Sequence, residues 1–180
     1  MLERESELAE LRGRIEDAAG GRGSVVVIEG PAGIGKTTLL EAARRAAGER
    51  MQVLAARAGR LERELSWNVV RELFGRVVRS APEKLLTGAA ALAAPALGFG
   101  GESEAGALHG LYWLTSDLAA QMPLMLAVDD AHWGDASSLQ FLNYVGGRVA
   151  DLPVLVVVTT RPGEDDRGLV DPLGPVQGHR

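Results

Sequence analysis

Four segments of the chain are mostly apolar runs, each four to seven residues long: Val25 to Ile28 within 24–29, Gln52 to Ala58, Leu124 to Val128, and Val154 to Thr160. None alternates between apolar and polar. Continuous runs predict strands buried on both faces, as in a parallel sheet covered by helices. Between them the apolar positions recur at helical spacing. Leu8, Leu11 and Ile15 predict a helix over 5–18. Good helix formers from Lys36 to Ala47 predict a second, with Gly48 as its C-cap. Val69, Val70, Leu73, Phe74, Val77 and Val78 make the inner face of a helix at 66–79. Residues 83–94 are rich in Ala and Leu and predict another helix, ending before Pro95, with a loop at 98–103. Leu108, Leu111, Tyr112, Thr115 and Leu118 mark a helix at 105–121, and Asp135 reads as the N-cap of one reaching Arg148. Strands alternating with helices predict an α/β fold with helices on both faces of the sheet.

The stretch between the first strand and its helix carries the chemistry. Gly30-Pro31-Ala32-Gly33-Ile34-Gly35-Lys36-Thr37 fits the phosphate-loop pattern G-x-x-x-x-G-K-[ST] in its required strand–loop–helix setting. Gly30, Gly33 and Gly35 permit backbone conformations closed to other residues, so successive N–H groups converge on phosphate oxygens. The helix that follows turns its positive N-terminal end to the same anion. Lys36 adds a full charge for the β- and γ-phosphates, and Thr37 a hydroxyl for Mg²⁺. The predicted nucleotide-binding set is Gly30, Pro31, Ala32, Gly33, Ile34, Gly35, Lys36, Thr37 and Thr38.

A second element follows from the third strand, which ends in Asp129-Asp130. In a P-loop hydrolase an apolar strand ending in acids is the Walker B element. Asp129 then holds Mg²⁺, and Asp130 orients or deprotonates the attacking water, with Lys36 as its catalytic partner. The fourth strand ends in Thr159-Thr160-Arg161, beside the third in the additional-strand class of P-loop NTPases, so Thr160 or Arg161 is a candidate γ-phosphate sensor. The reading is thus a three-layer αβα sandwich, strand order 2-3-4-1. His132, after the two acids, reads as a packing residue in preference to a metal ligand or base.

Bulk properties narrow this further. With 180 residues, one domain and one core are expected. Aromatics are only 4%, so Ala, Leu, Val and Gly must do the packing. A net charge of −5 with no basic stripe gives no footprint for nucleic acid. The absence of cysteine excludes disulfides and thiolate metal sites. The charged N-terminus lacks a signal-peptide core, and no apolar run is long enough to span a bilayer. These features make the cytoplasm the expected location.

Val128-Asp129-Asp130-Ala131-His132-Trp133-Gly134-Asp135 resembles the D-D-x-H-W-x-D motif of the AAA-16-type, STAND-like ATPase module of large ATP-binding LuxR-type bacterial transcriptional regulators. Leu2-Glu3-Arg4-Glu5-Ser6-Glu7-Leu8, Val69 to Phe74 and Leu108 to Leu114 resemble the same family, over residues 1–165 in all. The resemblance implies an ATP/ADP switch that controls transcription, self-associates with ATP bound and resets by slow hydrolysis. It also implies MgATP binding through the P-loop and Asp129, hydrolysis supported by Asp130, and Arg4 near the adenine. A helical lid and a helix-turn-helix follow the module in that family; neither is found here, so no DNA binding is expected of this segment. The stretch Leu169 to Gln177, broken by Pro172 and Pro175, predicts no fifth strand, and residues 166–180 read as a loose or truncated tail. A binding-only switch without turnover is the alternative function. A P-loop small-molecule kinase ranks last, because Arg60 and Arg63 alone do not make an Arg-rich lid.

Overall fold

The computed structural model describes the backbone of residues 3–100, 105–163 and 176–177, and the side chains of 5–100 and 105–163. The strands are β1 (Ser24–Glu29), β2 (Gln52–Arg57), β3 (Leu124–Asp129), β4 (Val154–Thr160) and β5 (Val176–Gln177). They form one sheet in the order β2-β3-β4-β1-β5, and every pairing is parallel. The helices are α1 (Glu3–Ala19), α2 (Lys36–Ala47), α3 (Asn68–Ser80), α4 (Pro82–Leu85), α5 (Ala94–Leu97), α6 (Ala107–Gln121) and α7 (Ala136–Gly146).

The apolar runs become central strands for the predicted reason. Every residue of β3 and β4 is buried, and so are the first five of β1. β2, at the edge, is only partly buried. Alternate residues of each strand feed two cores. Met125, Ala127, Leu155 and Val157 pack with Leu11 and Ile15 of α1 and with Leu39, Leu40 and Ala43 of α2. Leu126, Val128, Val156 and Val158 pack with α3, α6 and α7, where Phe74 meets Phe141 edge-on at 5.7 Å between centroids. Each fully buried Val or Leu here contributes roughly 1.5–3 kcal/mol, which makes this pair of cores the main source of stability. The parity of each strand residue thus decides which layer it meets, and that matters at the strand ends.

Two expectations need correction. The helix predicted over 83–94 is instead three short pieces: α4, a 3₁₀ turn at Gly88–Ala93, and α5. Gly88 has φ +54°, which breaks the helix after α4. Pro95 lies inside the first turn of α5, where its missing N–H costs nothing. The 3₁₀ turn lies hard against α6, and a Cβ on Gly110 would come within 2.4 Å of the Ala93 nitrogen. A fifth strand, expected to be missing, is present as the two-residue β5, whose Val176 and Gln177 pair with Ile28 and Glu29. Strand pairing runs through backbone groups, so so short a bridge needs no apolar run. The rest of the predicted loose tail, 166–175 and 178–180, lies outside the described residues.

Candidate functional site

The site lies at the carboxyl ends of β1, β3 and β4, where α2 begins. Open parallel sheets place ligands there. Gly33 (φ +78°) and Gly35 (φ +90°) turn the loop through left-handed conformations. A Cβ on Gly30 would lie 2.9 Å from the Ile34 side chain, so the loop closes on itself only with glycine there. α2 starts at Lys36 with no side-chain cap and no acid in its first turn, which leaves its positive end open to an anion. The Lys36 ammonium is curled over the loop and donates to the carbonyls of Gly30 (2.7 Å) and Pro31 (3.0 Å). Pro31, Ala32 and Ile34 form the exposed rim of the loop, and Thr38 is exposed in the first turn of α2.

Asp129 connects this loop to the sheet. The Thr37 hydroxyl donates to its carboxylate, 2.9 Å from Oδ2 and 3.2 Å from Oδ1. Thr159 Oγ1 donates to Asp129 Oδ1 at 2.7 Å and accepts from the Asp130 backbone N–H at 2.8 Å. Asp130 is one of only two non-glycine residues with positive φ among the described residues, at +53°. Aspartate tolerates this region better than most residues. Its carboxylate receives Arg57 Nη2 at 3.3 Å, and Arg57 Nε lies 3.9 Å from Asp129 Oδ2. A cleft of about 220 Å³ opens beside the pair, lined in part by Thr37, Arg57, Glu72 and Asp129.

The far end of the 129–135 segment has a different task. Asp135 is 2% exposed and accepts from three backbone N–H groups: Trp67 at 2.8 Å, Val69 at 3.3 Å and Ser138 at 2.9 Å. It therefore caps α7, as predicted, and also α3, which was not predicted. Ser138 Oγ accepts from Val70 N–H at 3.1 Å and completes the cap on α3. Between the two ends, His132 is buried and its ring lies 5.0 Å from that of Trp133, in keeping with the packing reading. The Arg60 guanidinium covers Trp133 at 5.5 Å.

The predicted residues thus converge unevenly. Lys36, Thr37 and Asp129 meet within hydrogen-bond reach of the loop. Thr160 lies on the other face of β4 from Asp129 by strand parity; its hydroxyl is buried without a partner, as is Arg161 Nε. Arg4 is the second residue of α1, and its side chain lies outside the described residues. Thr159 and Arg57 were missed. The signal for Thr159 was available, since Val128 pairs with Val158, so the next residues, Asp129 and Thr159, are neighbours.

The donor set fits a hydrated Mg²⁺ brought in with a nucleotide. Mg²⁺ takes one or two protein oxygens and fills the rest with water and phosphate. Thr37 and Asp129 offer one hydroxyl and one carboxylate, already in contact. Among the described residues no group of three or more His, Cys, Asp or Glu side chains could hold a metal by itself, so an all-protein cage is not what these residues build.

Fold and loop together define a nucleotide-binding P-loop NTPase domain. The chain belongs to the AAA ATPase domain family, which matches it over residues 1–157. Among solved structures it is similar to Drosophila ORC bound to DNA, with 18% identity, a TM-score of 0.57, and 88% of this chain aligned to 37% of that one. It also aligns with C. elegans PCH-2 at 11% identity and TM-score 0.44, over 88% of this chain and 37% of that one. The chain therefore spans little more than a third of the length of these neighbours. No curated protein matches it. Among the described residues no helix is long and apolar enough to cross a membrane.

Proposed function

We propose that the chain is an ATP-binding, slowly ATP-hydrolysing regulatory module of a bacterial LuxR-type transcriptional regulator. The observation that carries the nucleotide part is the Thr37–Asp129 contact at 2.9 Å beneath the Lys36-capped loop. The regulatory part is supported by the D-D-x-H-W-x-D match at 129–135. In this reading the loop N–H groups and Lys36 hold the β- and γ-phosphates. Thr37 and Asp129 hold Mg²⁺, which neutralises phosphate charge when bound. Asp130 accepts a proton from the attacking water as the bond from the γ-phosphorus to the bridging oxygen breaks, giving ADP and phosphate. Of the two candidate sensors Arg161 is the one that senses the γ-phosphate, since Thr160 faces the other layer; Arg4 lies near the adenine, and the ATP form self-associates, in the cytoplasm. The test is Lys36→Ala. Each charge-assisted hydrogen bond is worth about 1.5–3 kcal/mol, so ATP affinity should fall by at least about tenfold. Retained affinity overturns the loop assignment.

A binding-only switch is the second reading. The observation in its favour is that Arg57 already engages the Asp130 carboxylate. Phosphate release by the unmodified chain separates the two: measurable turnover excludes the second reading, and none at saturating MgATP excludes the first.

A further inference from the structure

We propose that Thr159 is the positioning residue that sets Asp129 for Mg²⁺, an inference that rests on the MgATP reading above. Three observations converge on it. Thr159 is fully buried (0% exposed), so its hydroxyl cannot turn to solvent. A hydroxyl has one proton to donate, and Thr159 gives it to Asp129 Oδ1 at 2.7 Å. Its oxygen accepts the Asp130 N–H at 2.8 Å. One side chain therefore fixes the carboxylate of the first acid and the backbone of the second.

The sheet explains why Thr159 has this place and Thr160 does not. Val157 and Ala127 share the face covered by α1 and α2. Two residues further along, Thr159 and Asp129 point to that same face, where Thr37 begins α2. Thr160 shares the parity of Val158, which packs with α3, α6 and α7. Anchoring Oδ1 on β4 fixes the carboxylate plane and presents Oδ2 to Thr37, the other oxygen donor. The Thr37 hydroxyl can rotate its proton away and offer a lone pair, but the Asp129 carboxylate must already be oriented. A partner behind a metal ligand does this work, and its loss typically lowers metal affinity about 10- to 100-fold. Holding the Asp130 N–H also steadies a residue at φ +53°, whose backbone is otherwise free to relax to a more populated conformation.

The experiment measures ATP affinity of Thr159→Val and Thr159→Ser with Mg²⁺ and with EDTA, alongside the unmodified chain. Valine keeps the volume and removes the hydroxyl; serine keeps the hydroxyl. Thr159→Val should lose about 10- to 100-fold of the Mg²⁺-dependent gain in affinity, with the loss confined to the metal-dependent part, and Thr159→Ser should restore it. A general packing defect would lower both affinities together. Thr159→Val with the full Mg²⁺-dependent gain overturns the inference, as does Thr159→Ser behaving like valine. If valine does not fold, Thr159→Cys, with a weak donor of similar size, is read in the same way. An unmodified chain that binds no ATP fails the MgATP reading itself, a result distinct from both.

Discussion

Asp129 and Asp135 stand six residues apart in one segment, and both are buried. Asp129 accepts from two hydroxyls, those of Thr37 and Thr159. Asp135 accepts from three backbone N–H groups at the starts of α3 and α7. The Thr37 hydroxyl can rotate and give up its partner to a cation while Thr159 holds the carboxylate, whereas a backbone N–H at a helix start has no other use for its proton. The near end of the segment is thus built to exchange partners and the far end to keep them. Asp135 ties the two helices to the 130–135 turn, so the turn that carries Asp130 is held from below by a cap and from beside by Thr159.

Substitutions at the two ends should separate cleanly. Asp130→Asn gives the largest effect: turnover should fall about 10²- to 10⁴-fold, the usual worth of a positioned base, with ATP affinity retained. Steady-state phosphate release and a binding titration read the two quantities. A variant that also loses affinity would make Asp130 a binding residue and blur the contrast. Asp135→Ala comes next. It removes a cap worth about 1 kcal/mol and strands further buried donors, so stability should drop by roughly 2–4 kcal/mol in urea unfolding. The folded fraction should still bind ATP as before. Unchanged stability would mean that the far end is not structural. Ser138→Ala removes one acceptor from α3, and a loss of about 1 kcal/mol is expected. Arg57→Ala should be smallest in stability, under about 1 kcal/mol, because the guanidinium is 70% exposed and pairs in solvent. A larger loss would show that Arg57 anchors the acids as firmly as Thr159 does.

Much of this arrangement is readable from residue types, for a physical reason. Unbroken apolar runs have few ways to be buried, so β1, β3 and β4 followed directly, whereas the order 2-3-4-1 came from the additional-strand class of P-loop NTPases that the two motifs indicate. The phosphate loop is specified by glycines and by Lys36 and Thr37 within eight consecutive residues, which needs no knowledge of distant contacts. What escaped depends on register across strands. Thr159 and Thr160 are identical in type, and only the pairing of Val128 with Val158 says which one meets Asp129. Arg57 reaches Asp130 through the β2–β3 pairing, which sets it opposite Asp129. The second role of Asp135 depends on α3 arriving from 66 residues earlier in the chain, which local capping rules cannot foresee. β5 was missed because a two-residue bridge leaves no side-chain pattern.

The most direct measurement is an ATP titration of the unmodified chain with Mg²⁺ and with EDTA. The contact of Thr37 with Asp129 predicts saturable one-to-one binding that Mg²⁺ strengthens. Binding that is absent, or indifferent to Mg²⁺, would contradict a metal–nucleotide site at Gly30–Thr37 and Asp129.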